Sequence, residues 1–180
     1  MENLRAIIES LLFVADTPLS VDKIKAVLEL SDRKDIREAL AALREEYESS
    51  KRGFFLAEVA GGFQIRTRPE HGQWIRRLIE TKPPRLSKAA METLAIVAYK
   101  QPVLRSDIEH LRGVDSGGTL KTLLERKLVR IMGRKDLPGR PMVYGTTKQF
   151  LELFDLKDLG QLPTLQDLKD LGETWLNDST

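Results

Sequence analysis

The segment from residue 86 to residue 147 constrains the fold more than any other part of this 180-residue chain. Its apolar residues first repeat at helical spacing in three successive stretches and then alternate in two shorter ones. Pro102 and Gly113 separate the three helical stretches. The predicted helices span 87–100, 106–112 and 116–127, and the predicted strands span 128–132 and 142–147. Three helices followed by a two-stranded hairpin is the order of a winged helix, which we predict here.

The same order of elements occurs once before in the chain. Helices are predicted over 3–15, from Ser20, and from Asp32 or Asp35 to Tyr47, and strands are predicted over 54–60 and 63–68. The pair Gly61-Gly62 between these strands is a strong signal for a hairpin turn. A further helix is predicted over 70–80. The fold class is therefore mainly α with small β-hairpins (α+β), arranged as two tandem winged-helix domains.

Prolines and charge divide the chain further. Pro83-Pro84 predicts an extended, semi-rigid spacer. The predicted units are an N-terminal winged helix (1–80), a linker (81–85), a C-terminal winged helix (86–159) and an acidic, flexible tail (160–180). The net charge is −1 in the first 80 residues, +8 from 81 to 150 and −5 from 151 onward. A basic middle segment of this kind is typical of chains that bind nucleic acid or an acidic partner.

Few residues in the sequence have the character of a catalytic or ligand-binding site. The chain has no cysteine, and its two histidines, His71 and His110, stand apart from each other. Ser116-Gly117-Gly118 lacks the residues of a phosphate-binding loop, so we predict only that Ser116 caps a helix. We therefore expect no enzyme activity, no cofactor, no metal and no small-molecule substrate. The chain has no apolar run of about 20 residues, and the charged amphipathic helix that follows Met1 predicts no signal peptide, so we also expect a cytoplasmic protein without membrane contact.

DNA binding is one function open to a winged helix, because its third helix commonly enters the major groove. The exposed side chains of that helix would be Thr119, Lys121, Thr122, Glu125 and Arg126, and the wing would add Arg134, Lys135 and Arg140. The corresponding helix of the first domain is rich in carboxylates, which repel phosphate. We therefore expect direct DNA binding to be weak or absent, and a DNA-binding transcriptional regulator remains the alternative function.

Protein docking is the other function open to this fold. The first helix carries apolar residues on more than one face, and the residues concerned are Leu4, Ala6, Ile7, Ile8, Leu11, Leu12, Phe13 and Val14. One small domain covers one such face. Surplus apolar surface is typical of an interface, unless the hairpin and the helix over 70–80 cover it.

Several segments resemble the family of bacterial segregation and condensation protein B, ScpB. The matching segments are LSKAAMETLAIVAYKQP (86–102), RGVDSGG (112–118), LLERKL (123–128), GRKDLPGRPMVYGTT (133–147) and IESLLFVA (8–15). The long wing segment is too specific to match by chance. The resemblance covers about residues 4–165.

The resemblance implies a scaffold rather than an enzyme. A member of this family forms a homodimer through its N-terminal domain and binds the kleisin ScpA. Through ScpA it joins the SMC ATPase in the condensin-like complex that compacts and separates chromosomes during cell division, so the protein is expected at the nucleoid.

The candidate interface residues follow from this resemblance and from the residues themselves. For the homodimer they are Leu4, Ile8, Leu12 and Phe13. For a kleisin groove beside the helix over 87–100 and the wing they are Tyr99, Lys100, Arg134, Arg140 and Tyr144. Tyr99 and Tyr144 have core packing as an equal alternative.

Overall fold

The computed structural model describes residues 3–29, 32–79, 85–164 and 166–167. The helices in this part of the chain are α1 (Leu4–Val14), α2 (Val21–Leu28), α3 (Lys34–Ser49), α4 (Gly72–Ile79), α5 (Lys88–Lys100), α6 (Arg105–Arg112), α7 (Gly117–Glu125) and α8 (Lys148–Leu153). The strands are β1 (Phe54–Val59), β2 (Gly62–Thr67), β3 (Val103–Leu104), β4 (Val129–Arg134) and β5 (Met142–Thr146). Two 3-10 turns, Pro69–His71 and Leu159–Gln161, complete the order. The predicted fold class, mainly helical with small antiparallel sheets in two winged helices, is confirmed.

The first winged helix packs α1, α2 and α3 against the β1–β2 hairpin. Each helix contributes one apolar stripe, because its core residues recur at intervals of three or four. The buried residues are Ile8, Leu12, Ile24, Ile36, Leu40, Leu43, Tyr47 and Leu56. The hairpin pairs antiparallel from Phe54 opposite Thr67 to Val59 opposite Gly62. One isolated bridge, between Leu19 and Phe63, joins the segment before α2 to this hairpin.

The turn of the first hairpin lies one residue earlier than predicted. Ala60 and Gly61, with φ of 51° and 73°, form it, whereas Gly62 already belongs to β2. Two successive residues with positive φ are typical of the two-residue turns that match strand twist. Glycine is required at position 62 for a different reason: a Cβ there would lie 2.8 Å from the backbone carbonyl carbon of Leu19.

The second winged helix has a separate core and a three-stranded sheet. Its buried residues include Leu94, Val97, Ile108, Leu120, Leu123, Val129, Tyr144 and Phe150. The strand order is β3-β5-β4, with β5 in the centre. The two-residue strand β3 was not predicted; it pairs Val103 with Tyr144. The β4–β5 register shifts between Ile131 and Gly133, which is a β-bulge in the wing.

Helix caps explain where several helices begin. The hydroxyl of Ser20 accepts a hydrogen bond from the Lys23 amide, and that of Ser87 accepts one from the Ala90 amide, both at 3.2 Å. Gly113 ends α6 with φ of 72°, as predicted. The predicted cap by Ser116 is wrong. The Ser116 side chain is fully buried; its hydroxyl accepts a hydrogen bond from Arg112 and donates one to the Val114 carbonyl. The Asp115 carboxylate instead accepts a hydrogen bond from the Gly117 amide, at 3.1 Å.

The segment after α8 joins the two winged helices, and we call residues 154–164 the strap. The amides of Ala60 and Gly61, at the first hairpin turn, donate to the carbonyls of Leu156 and Lys157 at 2.9 and 3.0 Å. Arg66 pairs with Asp155 at 2.5 Å, and Lys157 pairs with Glu58 at 2.8 Å. The strap then returns to the second core, against which Leu156 and Leu162 pack.

The strap changes the expectation for the beginning of the tail. Residues 160–164, predicted to be flexible, lie along the second winged helix, where the Tyr99 hydroxyl donates to the Pro163 carbonyl at 2.6 Å. Most of the predicted linker (81–84) and residues 168–180 of the predicted tail lie outside the described residues. The division of the chain at 80 and 85 stays a prediction.

Candidate interaction surfaces

Helix α1 presents two different apolar faces. Ile8 and Leu12 point into the core of the first winged helix, with 0% and 2% of their surface exposed, and Leu4 is half-buried against the same core. Phe13 and Val14 point the other way and are 80% and 72% exposed. The expectation for Ile8 and Leu12 therefore needs correction, because their surface is used within the fold. Of the four candidates, Phe13 offers the most free surface.

Beside Phe13 lies an open apolar depression, which we call the α1 groove. Its volume is about 480 Å³, and its lining residues are Glu9, Ser10, Phe13, Val14, Tyr47, Phe54, Ile65, Arg66 and Thr67. The floor is rigid, since the Tyr47 hydroxyl donates to Glu9 and the Tyr47 ring meets Phe54 edge to face at 5.1 Å. Burial and the Glu9 carboxylate raise the pKa of Tyr47, so this hydroxyl keeps its proton. The groove suits an apolar side chain from a partner.

The candidates Tyr99, Lys100 and Tyr144 differ in how much of their surface is free to contact a partner. Tyr144 lies on the central strand β5 with 8% of its surface exposed, so it is a core residue. Tyr99 is partly exposed, but its hydroxyl already holds the strap through Pro163. Lys100 is exposed at the last turn of α5. Core packing thus accounts for Tyr144, and an intramolecular hydrogen bond accounts for the Tyr99 hydroxyl.

Arg134 and Arg140 lie together at the tip of the wing. The Arg134 guanidinium donates through Nη1 to the Arg140 carbonyl at 3.0 Å, which fixes the shape of the turn. Arg140 has φ of 41° and follows Gly139, with φ of 81°. Both arginine side chains are exposed. The structure therefore brings two of the five candidates into one rigid, cationic tip.

A second depression, which we call the wing-base groove, lies between β4, α8 and the residues after α5. Its volume is about 590 Å³, and its lining residues are Gln101, Pro102, Arg130, Met132, Thr146, Thr147, Lys148, Leu151 and Leu159. The lining combines apolar Met132 and Leu151 with the cations Arg130 and Lys148. None of the five candidates lines this groove. The alternating pattern of residues 128–132 predicted the strand that carries Arg130 and Met132, but nothing in the sequence indicated that these side chains meet α8.

Helix α7 is the helix that would enter the major groove of DNA, but polar side chains on it form an ion pair and a hydrogen bond within the helix. Lys121 lies 4.0 Å from Glu125, and the Thr122 hydroxyl donates to the Gly118 carbonyl at 3.1 Å. The end of α7 also lines a cleft with Gln64 and Arg66 of the first winged helix. These contacts limit the free cationic surface of α7.

The described residues offer neither a metal site nor a membrane-spanning helix. No cluster of histidine, aspartate and glutamate in this part of the chain has the arrangement of a metal site. None of the helices that the structure describes combines the length and apolar character needed to cross a membrane. The chemistry that these surfaces offer is apolar and electrostatic contact with another molecule.

Comparison with known proteins connects these surfaces to a family. The family model described as segregation and condensation complex subunit ScpB matches residues 6–165. Segregation and condensation protein B of Syntrophotalea carbinolica is 52% identical over 168 residues, which cover 93% of this chain and 85% of that protein. The protein of the same name from Moorella thermoacetica is 50% identical over 167 residues and covers the same shares.

A solved structure also aligns with the chain. The crystal structure of ScpB from Mycobacterium tuberculosis is 30% identical, covers 85% of this chain and 95% of that one, and has a TM-score of 0.41. The family model spans most of the chain, and the curated relatives are about half identical to it. The chain therefore belongs to the segregation and condensation complex subunit ScpB family.

Proposed function

We propose that this protein is a non-enzymatic scaffold of an SMC–kleisin complex, which forms a homodimer and binds the kleisin ScpA to support chromosome condensation and segregation. Family membership supports the complex, and the uncovered α1 groove is the observation that carries the scaffold role. A protein that exposes Phe13 and Val14 on one rigid face is built for contact with another chain.

The two grooves suit two different partners. The α1 groove has a mainly apolar surface, which is typical of the buried centre of a permanent homodimer interface. The wing-base groove combines apolar Met132 and Leu151 with cationic Arg130 and Lys148, and the wing tip adds Arg134 and Arg140. This pattern fits an acidic, partly apolar segment of ScpA. ScpA in turn would connect the dimer to the SMC ATPase at the nucleoid.

Dimerisation is tested by light scattering of the full chain. We expect twice the chain mass of 20.4 kDa, and we expect Phe13→Asp to halve it, because a carboxylate would be desolvated in the apolar interface. Val27→Asp is the matched control, since Val27 is half-exposed on α2 of the same unit. A monomeric native chain at micromolar concentration would refute the dimer.

Kleisin binding is tested by charge reversal in the second winged helix. Arg130→Glu with Lys148→Glu should weaken ScpA binding by at least about tenfold, because two attractive pairs become repulsive. Arg134→Glu with Arg140→Glu should weaken it as well. Lys88→Glu with Lys121→Glu removes the same charge from α5 and α7 and should leave binding within about twofold. Equal loss in all three variants would mean that only the net charge matters.

The same variants address DNA binding. If the protein holds duplex DNA through its phosphates, its affinity should fall as the salt concentration rises. The slope of log affinity against log salt concentration should become less steep for each cation removed. Tight binding of one DNA sequence at physiological salt, lost in Lys121→Glu, would favour the transcriptional regulator instead.

A further inference from the structure

The wing-base groove combines apolar and cationic surface that the described residues leave uncovered. Met132 and Leu159, which both line it, are 48% and 40% exposed. The Arg130 Nε donates to the Thr146 carbonyl at 3.3 Å. In the part of the chain that the structure describes, neither Arg130 nor Lys148 forms an ion pair with a carboxylate. The groove therefore suits an acidic segment that also has an apolar face.

The strap leads the chain along the edge of this groove. Leu159 belongs to the strap and is itself a lining residue. Four residues later, the Pro163 carbonyl accepts the hydrogen bond from the Tyr99 hydroxyl at 2.6 Å. Tyr99 precedes Gln101, another lining residue, by two positions. The part of the chain that follows Pro163 therefore begins beside the wing-base groove.

A helix start is formed at the end of the strap. The Thr164 hydroxyl accepts a hydrogen bond from the Asp167 amide at 3.1 Å, and the Asp167 carboxylate accepts one from the Thr164 amide at 2.7 Å. This reciprocal pair is a capping box, which is typical of the first turn of a helix. Gln166 and Asp167 are helical, as this cap requires. The capping box thus indicates a helix that starts immediately after Thr164.

The sequence after Thr164 is acidic and amphipathic, and we call residues 165–176 the acidic segment. Residue 165 and residues 168–176 lie outside the described residues, so this pattern comes from the sequence alone. At 100° per residue, the apolar side chains fall within an arc of about 140°. They are Leu165, Leu168, Leu171, Trp175 and Leu176. The carboxylates of Asp167, Asp170 and Glu173 lie outside this arc, and Lys169 is the one cation of the segment.

We propose that the acidic segment packs into the wing-base groove of its own chain, with its apolar arc on Met132 and Leu159 and its carboxylates toward Arg130 and Lys148. The segment of the same chain is favoured as occupant because it begins beside the groove, which raises its effective concentration to roughly millimolar. Opposite charges on the segment and the groove support the same assignment. The docked segment competes with ScpA for the groove, and this consequence alone rests on the proposed function.

Crosslinking of the full chain tests the docking, because the chain has no cysteine of its own. Gly172→Cys lies within the apolar arc and removes no apolar side chain. Combined with Met132→Cys and treated with a short bismaleimide, it should give a crosslink within one chain, which peptide mass spectrometry detects. Met91→Cys with Gly172→Cys is the matched control and should give several-fold less. Met91 is 42% exposed, but it lies in the first turn of α5, whereas Tyr99 lies in the last.

Each other outcome overturns the inference. Equal crosslinking of Gly172→Cys to Met132→Cys and to Met91→Cys would mean that the segment has no fixed site. A mixture of the single variants Met132→Cys and Gly172→Cys detects contacts between chains. Efficient crosslinking in that mixture would assign the segment to the groove of a second copy. Absence of any crosslink in a double variant with native circular dichroism would leave the groove to other occupants.

A second measurement separates this inference from the proposed function. Leu168→Asp with Leu171→Asp should abolish the crosslink and raise the affinity for ScpA several-fold, because a charged arc no longer packs in the groove. Ser179→Asp with Thr180→Asp adds the same charges after the acidic segment and should change neither. A crosslink that survives Leu168→Asp with Leu171→Asp would refute the docking. A lost crosslink with unchanged ScpA affinity would uphold the docking and refute the wing-base groove as the ScpA site.

Discussion

Gly62 illustrates how one residue can set the approach of two segments. It pairs with Val59 at the start of β2, and a Cβ there would lie 2.8 and 2.9 Å from the carbonyl carbon and oxygen of Leu19. Both contacts are with backbone, so a side-chain rotation cannot relieve them. The close approach also allows the two hydrogen bonds between Leu19 and Phe63, each 2.9 Å long.

Gly62→Ala should therefore destabilise the first winged helix. We expect a loss of about 1–3 kcal/mol in the free energy of urea unfolding, the usual cost of inserting a methyl group where packing is already close. Gly133→Ala in the wing is the control, because no atom lies within 4 Å of the position of its Cβ. It should change the stability by less than about 0.5 kcal/mol. Equal stability of both variants would show that the Leu19 segment can move away.

Glu109 performs a comparable role in the second winged helix. Its carboxylate accepts the Ser116 amide at 3.0 Å and the Arg105 Nε at 2.7 Å, which links α6 to the start of α7. The bond from the Ser116 amide, followed by that from Arg105, holds the pKa of Glu109 below its usual value.

The lowered pKa of Glu109 predicts a pH dependence of stability. Because the folded-state pKa is depressed, the stabilisation is complete above the usual glutamate pKa of about 4.3 and is lost as the pH falls through the folded-state value. Glu109→Gln should thus lower the melting temperature at pH 7, and the difference from the native chain should shrink under acid. Glu125→Gln, which affects an exposed pair at 4.0 Å, should show little difference at either pH.

At the scale of elements, the start of a helix can be predicted from the sequence when a side chain caps it. Ser87 caps α5 through its hydroxyl, so Ser87→Ala should cost about 1 kcal/mol of unfolding free energy. Ser106→Ala, at an exposed position inside α6, should be neutral or slightly stabilising, because alanine has the higher helix propensity. Chemical denaturation of the full chain measures both, and equal loss in the two variants would contradict the role of the cap.

Elements with local causes were predictable from the sequence. The order of helices and hairpins follows from apolar periodicity, and the ends of α5 and α6 follow from Ser87, Pro102 and Gly113. Strand β3 was not predictable, because two residues, Val103 and Leu104, carry no periodicity and become a strand only by pairing with β5. The cap by Ser116 failed for a similar reason, since burial against α6 redirects its hydroxyl.

The candidate surfaces were less predictable than the fold. The sequence shows that α1 is apolar on more than one face, but only the packing of α3 and the hairpin determines that Ile8 and Leu12 are inside and Phe13 outside. The wing-base groove was missed because it depends on Arg130 and Leu151, which lie far apart in the chain. Cover by the helix over 70–80 was the alternative to an interface on α1, and the structure leaves Trp74, Leu78 and Ile79 of α4 exposed.

At the scale of the whole molecule, the strap decides how the two winged helices sit against each other. Its contacts are polar: two backbone hydrogen bonds at Ala60 and Gly61, and the ion pairs of Arg66 with Asp155 and Lys157 with Glu58. The Glu58 carboxylate raises the pKa of Lys157, as expected for a cation held beside an anion. Each ion pair is partly exposed and screened by solvent, so salt and single charge changes can weaken the contact without unfolding either core.

Because these contacts are polar, we predict that the arrangement of the winged helices can change, which would matter for a scaffold whose two grooves lie on different units. Glu58→Lys should loosen the contact by placing two cations together, and small-angle scattering should then show a larger radius of gyration. The double variant Glu58→Lys with Lys157→Glu restores an ion pair of opposite orientation and should return the radius to that of the native chain. Both variants should keep the native melting profile of the two cores. A single variant with an unchanged radius would mean that the backbone bonds to Leu156 and Lys157 alone are sufficient to hold the two units.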